Sequence, residues 1–360
     1  MIEINETNFP DANFRQYLLS QDYGKDGVLT DESIKRINVI DVDEMDISSL
    51  KGIEYFTSLK ELICSDNKLK DLDVSKNTEL ISLDCAYNEI TTLDISKNTK
   101  LQRLDCEVNK LVALDISNNV ELTDLSCADN EIISLDLLSN VVLRELHCEY
   151  NQLTTLNVSN NIALTFLDCC KNQLSALDVS NCTKLTDLFC PVNQLTTLNV
   201  SGCLALKKIN CSYNQLTTLD VSSNVLLTEL NCCFNQLIAL NLSNNIALVY
   251  LHCCKNQLTT LIFTKNIALT ELACSDNKLT ALDVSGCMAL KSLHCSQNRI
   301  KKASMDALIA SLPQTGGNIY IYDFEKSNEG NTWTKEQIAA IKAKDWTCNV
   351  WVEYGNDSPT

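Results

Sequence analysis

A leucine recurs every 21 residues, twelve times in succession, from Leu59 to Leu290. With that leucine as offset zero, the unit reads L-x-x-L-x-C-x-x-N-x-L-x-x-L-D/N-V-S-x-N-x-x. Offset 5 is cysteine and offset 8 is asparagine in all twelve copies. A segment this short cannot bury its own apolar face. Successive units must therefore stack and share one core.

Offsets 3 and 5 alternate with other positions, so Leu62 and Cys64 point inward while Glu61, Ile63 and Ser65 point outward. That is a short half-buried strand, and the stacked strands make one parallel sheet. Asn at offset 8 turns the chain inward and is expected to bond backbone groups of its own bend and of the next unit. The returning half, as in Leu69, Leu72 and Val74, has no room for a full helix. The unit is a leucine-rich repeat. The expected fold class is an α/β solenoid: a horseshoe-like, right-handed stack with a parallel β-sheet on the concave face. Its convex side should be mostly extended or 3-10, and both ends should be capped.

Nineteen cysteines suggest disulfides or metal sites, but twelve of them are the offset-5 residues. A free Cys there is a small buried hydrophobe. Neighbours on parallel strands put their Cβ atoms about 4.8 Å apart, beyond the roughly 3.8 Å of a disulfide, so a reduced ladder is expected. Cys170, Cys233 and Cys254 occupy offset 6 and are expected to face out of the sheet. Cys182, Cys203 and Cys287 replace the offset-18 Asn, and Cys348 lies near the C-terminus. His252 with Cys254 and Cys233 could bind zinc or act as a nucleophile and base, but no further ligand has motif spacing. Chance substitution is the favoured reading.

Residues 1–58 read as an N-terminal cap with one irregular repeat, 59–303 as the twelve regular repeats, and 304–360 as a C-terminal αβαβ cap. A helix should follow Pro10. Ile34, Ile37 and Val39 should mimic a strand. At the other end, Ser304 to Leu312 suits a helix with Ser304 as its N-cap, Asn318 to Phe324 a strand, Thr334 to Lys344 a helix with a capping box, and Trp346 to Glu353 a last strand. The loop Asp22 to Ser33 resembles a calcium-binding loop, with Asp22, Asp26, Gly27 and Leu29 at positions 1, 5, 6 and 8. Position 12 is Ser33 instead of a bidentate Glu, and Glu32 comes one residue early. A hydrogen-bonded turn is favoured over a calcium site, and Asp22, Asp26 and Glu32 are only weak candidates. No cofactor is expected.

Lys and Arg total 29 against 46 Asp and Glu, a net charge of −17. Binding to nucleic acid or to an anionic membrane needs the opposite balance. No run of about 18 apolar residues exists to span a bilayer. The start, Met1-Ile2-Glu3-Ile4, does not read as a secretory leader. No hydrolase, phosphate-loop or zinc-protease motif occurs, so no enzyme is expected.

Function in such a stack lives at variable outward positions. Phe166, Phe189, Tyr213, Phe234 and Tyr250 fall in five consecutive units at offsets 2, 4, 7, 7 and 2, and are expected to form one oblique patch. Tyr87 and Tyr150 stand at offset 7 nearer the N-terminus, and His147, His252 and His294 stand at offset 4. Around the N-terminal positions lie Asp84, Asp105, Glu107, Asp124, Glu145, Glu149 and Asp168. Clustered aromatics on a sheet are interface anchors. The candidate site is therefore a binding face for a partner, with Phe166, Phe189, Tyr213, Phe234, Tyr250, Tyr87, Tyr150, His147 and His252 as its residues. The alternatives are a passive scaffold without a ligand on that face, or carbohydrate bound by the aromatics.

The unit with Cys at offset 5 and Asn at offset 8 resembles the cysteine-ladder repeat of the internalin family of bacterial surface proteins. The likeness runs from Leu59 to about Ile300. The runs Asn8 to Arg15, Gln21 to Asp31 and Lys342 to Thr347 look like the caps of secreted leucine-rich repeat proteins from gut and oral bacteria. The resemblance implies a secreted or surface-held protein; the expected partner is a host or bacterial surface protein or a glycan, and the chain is expected to be a monomer.

Overall fold

The computed structural model describes residues 1–322 and 329–350. The chain forms two compact units, Met1–Lys184 and Leu185–Thr360. Each is a stack of leucine-rich repeat turns.

In the first unit, strands at Glu61–Ile63, Ser82–Asp84, Arg103–Asp105, Asp124–Ser126, Glu145–His147 and Phe166–Asp168 run parallel, each in register with the next. The central residue of each strand and the following cysteine are buried. In the second unit the same offsets give parallel strands from Asp187–Phe189 to Ser292–His294. The return halves are turns and extended segments. Ala176–Asp178 in the first unit and Thr197–Asn199 in the second are short strands.

Polar ladders hold each stack together. Asn88 is representative of offset 8. Its Oδ1 accepts from the Leu69 N–H at 2.9 Å, and its Nδ2 donates to the carbonyls of Cys64, Cys85 and Ala86 at 3.0, 3.2 and 2.9 Å. The ladder therefore reaches the preceding turn, not the next one as expected. The reason is the bend: the side chain points back along the stack, where it accepts from the buried Leu69 N–H and gives the Cys64 carbonyl a second donor beside Asn67 Nδ2. A second ladder stands at offset 18. Asn98 Nδ2 donates to the carbonyls of Val74 and Asn77 at 3.0 and 2.9 Å. Asn77, Asn98, Asn119, Asn140, Asn161, Asn224, Asn245 and Asn266 repeat this position, each with a buried Oδ1 that has no partner.

All nineteen cysteines are free thiols. The ladder thiols of Cys64, Cys85, Cys106 and Cys148 donate to carbonyls of the following turn at 3.2, 3.4, 3.4 and 3.4 Å. Burial pushes Cys127 and Cys211 up to about 12, so these thiols keep their protons.

Offset 6 departs from the outward assignment. Ser65, Ala86, Ala128, Cys170, Ser212, Ser275 and Ser296 are buried. The residue after each has a left-handed backbone, from Asp66 at φ 51° to Gln297 at φ 52°, and none of the twelve is glycine. This sharp reversal tucks the small offset-6 side chain against its neighbours and turns the offset-7 side chain outward.

The caps differ in detail from the expected boundaries. The helix after Pro10 is Ala12–Ser20, with the Asp11 carboxylate accepting from the Asn13 and Phe14 N–H groups. The irregular turn uses Val39–Asp41 as its strand, with Ile40 opposite Leu62. Val39 is exposed, and Ile34 belongs to the helix Asp31–Arg36. Alternation decides this: Ile40 and Val42 fill the slots that Leu62 and Cys64 fill one turn later. In the second unit the helix is Lys302–Ser311, with Lys301 at its N-cap and no side-chain cap, so Ser304 lies inside it. The helix starts as soon as buried Ile300 closes the last turn, and Leu312 is extended because Pro313 follows. Strands Gly317–Tyr322 and Trp346–Val350 extend the sheet in parallel, and the helix Lys335–Lys342 carries the Thr334–Gln337 capping box. Residues 323–324 and 351–353, which the sequence also assigns to these strands, lie outside the described residues.

Candidate interaction surface

Offsets 2 and 4 project from the sheet, and offset 7 projects at its rim. In the first unit this face is acidic and half-buried. Asp105 Oδ1 accepts from the Glu107 N–H at 3.1 Å, and Asp168 Oδ1 accepts from the Cys170 N–H at 2.8 Å. The Ser126 hydroxyl donates to Glu107 Oε2 at 3.0 Å. Burial, reinforced by neighbouring carboxylates, pushes Asp105 and Asp168 up to about 6. Burial also raises Asp84 and Glu149. His147 stacks on Phe166 at 4.7 Å, and Lys171 lies 4.2 Å above the Tyr150 ring while donating to its hydroxyl at 3.0 Å. Tyr87 is exposed.

The raised carboxyls make stability depend on pH. Asp105 and Asp168 hold protons more tightly folded than unfolded, where Asp titrates near about 3.9. Their contribution is fully present below the unfolded value and is lost as pH rises through about 6. Asp73, Asp94 and Asp115 work in the opposite direction, because bonds from Ser75, Ser96 and Ser117 lower them, but they act only below the usual Asp range. Asp105 and Asp168 should therefore make the protein more stable at pH 5 than at pH 7.5, by about 1–2 kcal/mol after discounting for solvent screening, partly offset by His294, which burial lowers. Thermal melts across that range check this, and Asp105→Asn with Asp168→Asn should flatten the profile.

The second unit carries the densest aromatic group. Tyr213 and Phe234, at offset 7 of adjacent turns, stack at 3.9 Å with 13° between the rings. Lys255, at the same offset one turn on, sits 4.3 Å over the Phe234 ring. Phe189 is half-buried at offset 4, in register with Asn210. Exposed Tyr250 is at offset 2, between Glu229 and Glu271. Polar pairs surround these rings: an ion pair of Lys208 with Glu229 at 2.9 Å, and a hydrogen bond between His252 Nε2 and Glu271 Oε1 at 2.8 Å. The cap adds a residue that the sequence reading missed, Tyr320, stacked on His294 at 4.1 Å. Its signal was available, because Tyr320 is in register with His294 on the strand that continues the sheet. Thus Tyr213 and Phe234 come together, and so do His147 and Phe166, whereas Tyr250 stands at the other margin of its strand.

Two of the weak metal candidates, Asp22 and Glu32, have basic partners. Asp22 faces Lys25 at 3.5 Å, Glu32 pairs with Arg36, and Ser33 closes a capping box with Thr30. Among the described residues, no group of three or more His, Cys, Asp or Glu is placed to hold a metal ion. No helix among them is long and apolar enough to cross a membrane.

A further feature, on the return side, went unread in the sequence. At offset 19 of the second unit stand Leu204, Val225, Ile246, Ile267 and Met288, between 48% and 64% exposed. Val120, Val141 and Ile162 hold the same place in the first unit. Columns of this kind are larger than scattered apolar surface.

No protein-family model matches the chain, and no curated protein sequence matches it. Several solved structures do. The plant peptide hormone receptor RGFR1, solved in complex with RGF2, is 21% identical over 81% of this chain and 55% of its own, with a TM-score of 0.64. An internalin, InlF from Listeria monocytogenes, is 20% identical over 98% of both chains, with a TM-score of 0.73. These two share the fold. The functional domain of InlJ from Listeria monocytogenes, which includes a cysteine ladder, is 30% identical over 89% of this chain and 82% of its own, with a TM-score of 0.57. The present chain belongs to the internalin family of leucine-rich repeat proteins, in its cysteine-ladder form.

Proposed function

We propose that this protein is a non-enzymatic interaction module, secreted or held at a bacterial surface, that grips a protein partner through the outward face of its sheet. The observation that carries the reading is the Tyr213–Phe234 stack with Lys255 above it, three consecutive offset-7 side chains on a regular frame. Rings already stacked lose little freedom when a partner covers them. Phe189, Tyr250 and His252 extend the surface within the same unit. In the first unit, Phe166, His147, Tyr150 and Tyr87 stand among acidic residues that favour a basic partner, whose binding weakens with salt. That RGFR1 was solved with RGF2 fits a role of this fold in recognition. Flat aromatic rings also stack on sugars, so a glycan-bearing partner suits the same surface.

The test is Phe189→Ala with Phe234→Ala, assayed against mucosal and bacterial surface extracts. The double variant should bind its captured partner about 2 kcal/mol more weakly, with the fold intact by circular dichroism. Undiminished capture would move the site to the apolar column of the return side or to the caps.

A further inference from the structure

Sixteen of the nineteen thiols are buried, and Cys233, Cys254 and Cys348 are not. Cys233 and Cys254 occupy offset 6 of adjacent turns, just beyond parallel strands in which Asn231 lies opposite His252. The Phe234 N–H donates to the Cys254 carbonyl at 2.9 Å, which fixes the two turns to one another at this point. The Cys254 N–H donates to Cys233 Sγ at 3.1 Å, so the Cys233 sulfur already leans toward the next turn. A hydrogen bond shared by the two thiols, together with burial, raises Cys233. In-register Cα atoms on neighbouring strands are about 4.8 Å apart, within the 4.4–6.8 Å range that disulfides span.

The ladder cysteines share that backbone spacing but not the opportunity. Cys232 and Cys253 are fully buried on the inner side, where no exchanging thiol can enter. Closing a bond there would also compress a packed core. Offset 6 lies past the strand end, and its Cβ atoms need to close by about 1 Å, from the roughly 4.8 Å of strand register to the roughly 3.8 Å of a disulfide.

We propose that Cys233 and Cys254 are a modification site: a dithiol that a low-molecular-weight disulfide oxidises, closing a bond between adjacent turns. One cysteine thiolate attacks a sulfur of the small disulfide, giving a mixed disulfide and releasing one small thiol. The second cysteine thiolate then attacks the protein-side sulfur and releases the other small thiol. The protein loses two electrons and two protons, and the small disulfide gains them. The bond forms immediately before Phe234 and Lys255, so it ties together the two turns whose side chains make the cation–ring contact. This site is independent of the binding reading.

The full-length folded chain is incubated with oxidised glutathione, trapped with N-ethylmaleimide without denaturation, digested and examined by mass spectrometry. The expected product is a peptide linked through Cys233 and Cys254 that dithiothreitol releases. Cys233→Ser and Cys254→Ser should each leave the remaining cysteine carrying glutathione and no link. Serine is the native residue at this offset in Ser65, Ser212, Ser275 and Ser296, so these variants keep the fold, and circular dichroism checks it. Three results overturn the proposal: separate glutathione adducts on both cysteines of the unmodified sequence, both cysteines recovered only as maleimide adducts, or a link from either one to Cys348 or to a ladder thiol.

Discussion

Asn172→Ala should destabilise the protein by about 3 kcal/mol. The side chain makes four bonds in the last turn of the first unit. Its Oδ1 accepts from the Leu153 N–H at 2.9 Å, and its Nδ2 donates to the carbonyls of Cys148, Cys169 and Cys170 at 2.9, 3.2 and 3.2 Å. Alanine leaves the Leu153 N–H without its acceptor in a buried bend and strips a donor from three carbonyls, of which Cys148 keeps Asn151 Nδ2 at 3.3 Å and Cys170 keeps the Tyr150 N–H at 2.9 Å. Each lost bond costs about 1 kcal/mol, and the desolvated groups add to that. Asn172→Asp should be at least as harmful, because it keeps the acceptor for Leu153 but sets a carboxylate against three carbonyls. Chemical denaturation gives the number. A change under about 0.5 kcal/mol would mean that water or neighbouring groups replace the ladder, and that offset 8 only shapes the turn.

Gly52→Ala should cost a similar amount, about 3 kcal/mol, in the N-terminal cap. Gly52 has φ 104° and ψ −14°, a left-handed conformation that charges an L-residue about 1–2 kcal/mol. A Cβ built there would stand 2.2 and 2.4 Å from two ring carbons of Phe9. Phe9 cannot withdraw, because it is fully buried among Phe14, Tyr55 and Phe56 at centroid distances of 5.8, 5.7 and 6.5 Å. Overpacking of this kind adds about 1–3 kcal/mol. Phe9→Leu should relieve the clash, so the double variant should lose less than the sum of the single losses. Strict additivity would show that the backbone conformation and the Asn8 carbonyl, 2.8 Å from the same Cβ, carry the cost.

The frame was legible because twelve copies of one unit average out local exceptions. Alternation placed Leu62 and Cys64 inward, and parallel register argued against disulfides along the ladder. Where only one copy exists, the same reasoning slipped. In the cap, Ile34, Ile37 and Val39 made a plausible apolar run, while the Ile40 and Val42 pair that continues the core was passed over. The left-handed offset 7 was hidden for a different reason. Tyr, Phe, Val, Lys and Asp all occur there, and none of the twelve residues is the glycine or asparagine that signals such a backbone. The bonds of the following Asn hold the bend instead. The candidate surface was only partly readable. Aromatic positions could be counted along the chain, but whether two rings stack depends on their sharing an offset on adjacent turns. Tyr213 and Phe234 do. The apolar column at offset 19 was written in the repeat as plainly as the cysteines were, but a position that varies among Val, Ile, Leu and Met does not stand out as a motif.

On the proposed function, partners engage the outward face of the sheet. Site-specific photocrosslinking tests it most directly. A photoreactive amino acid is placed at Tyr213, or at Ile246 on the return side, and each protein is irradiated in the same surface extract. Crosslinked partner is expected from position 213, diminishing as salt is raised, with little from position 246. Crosslinking from position 246 with none from position 213 would contradict the account and assign recognition to the return side.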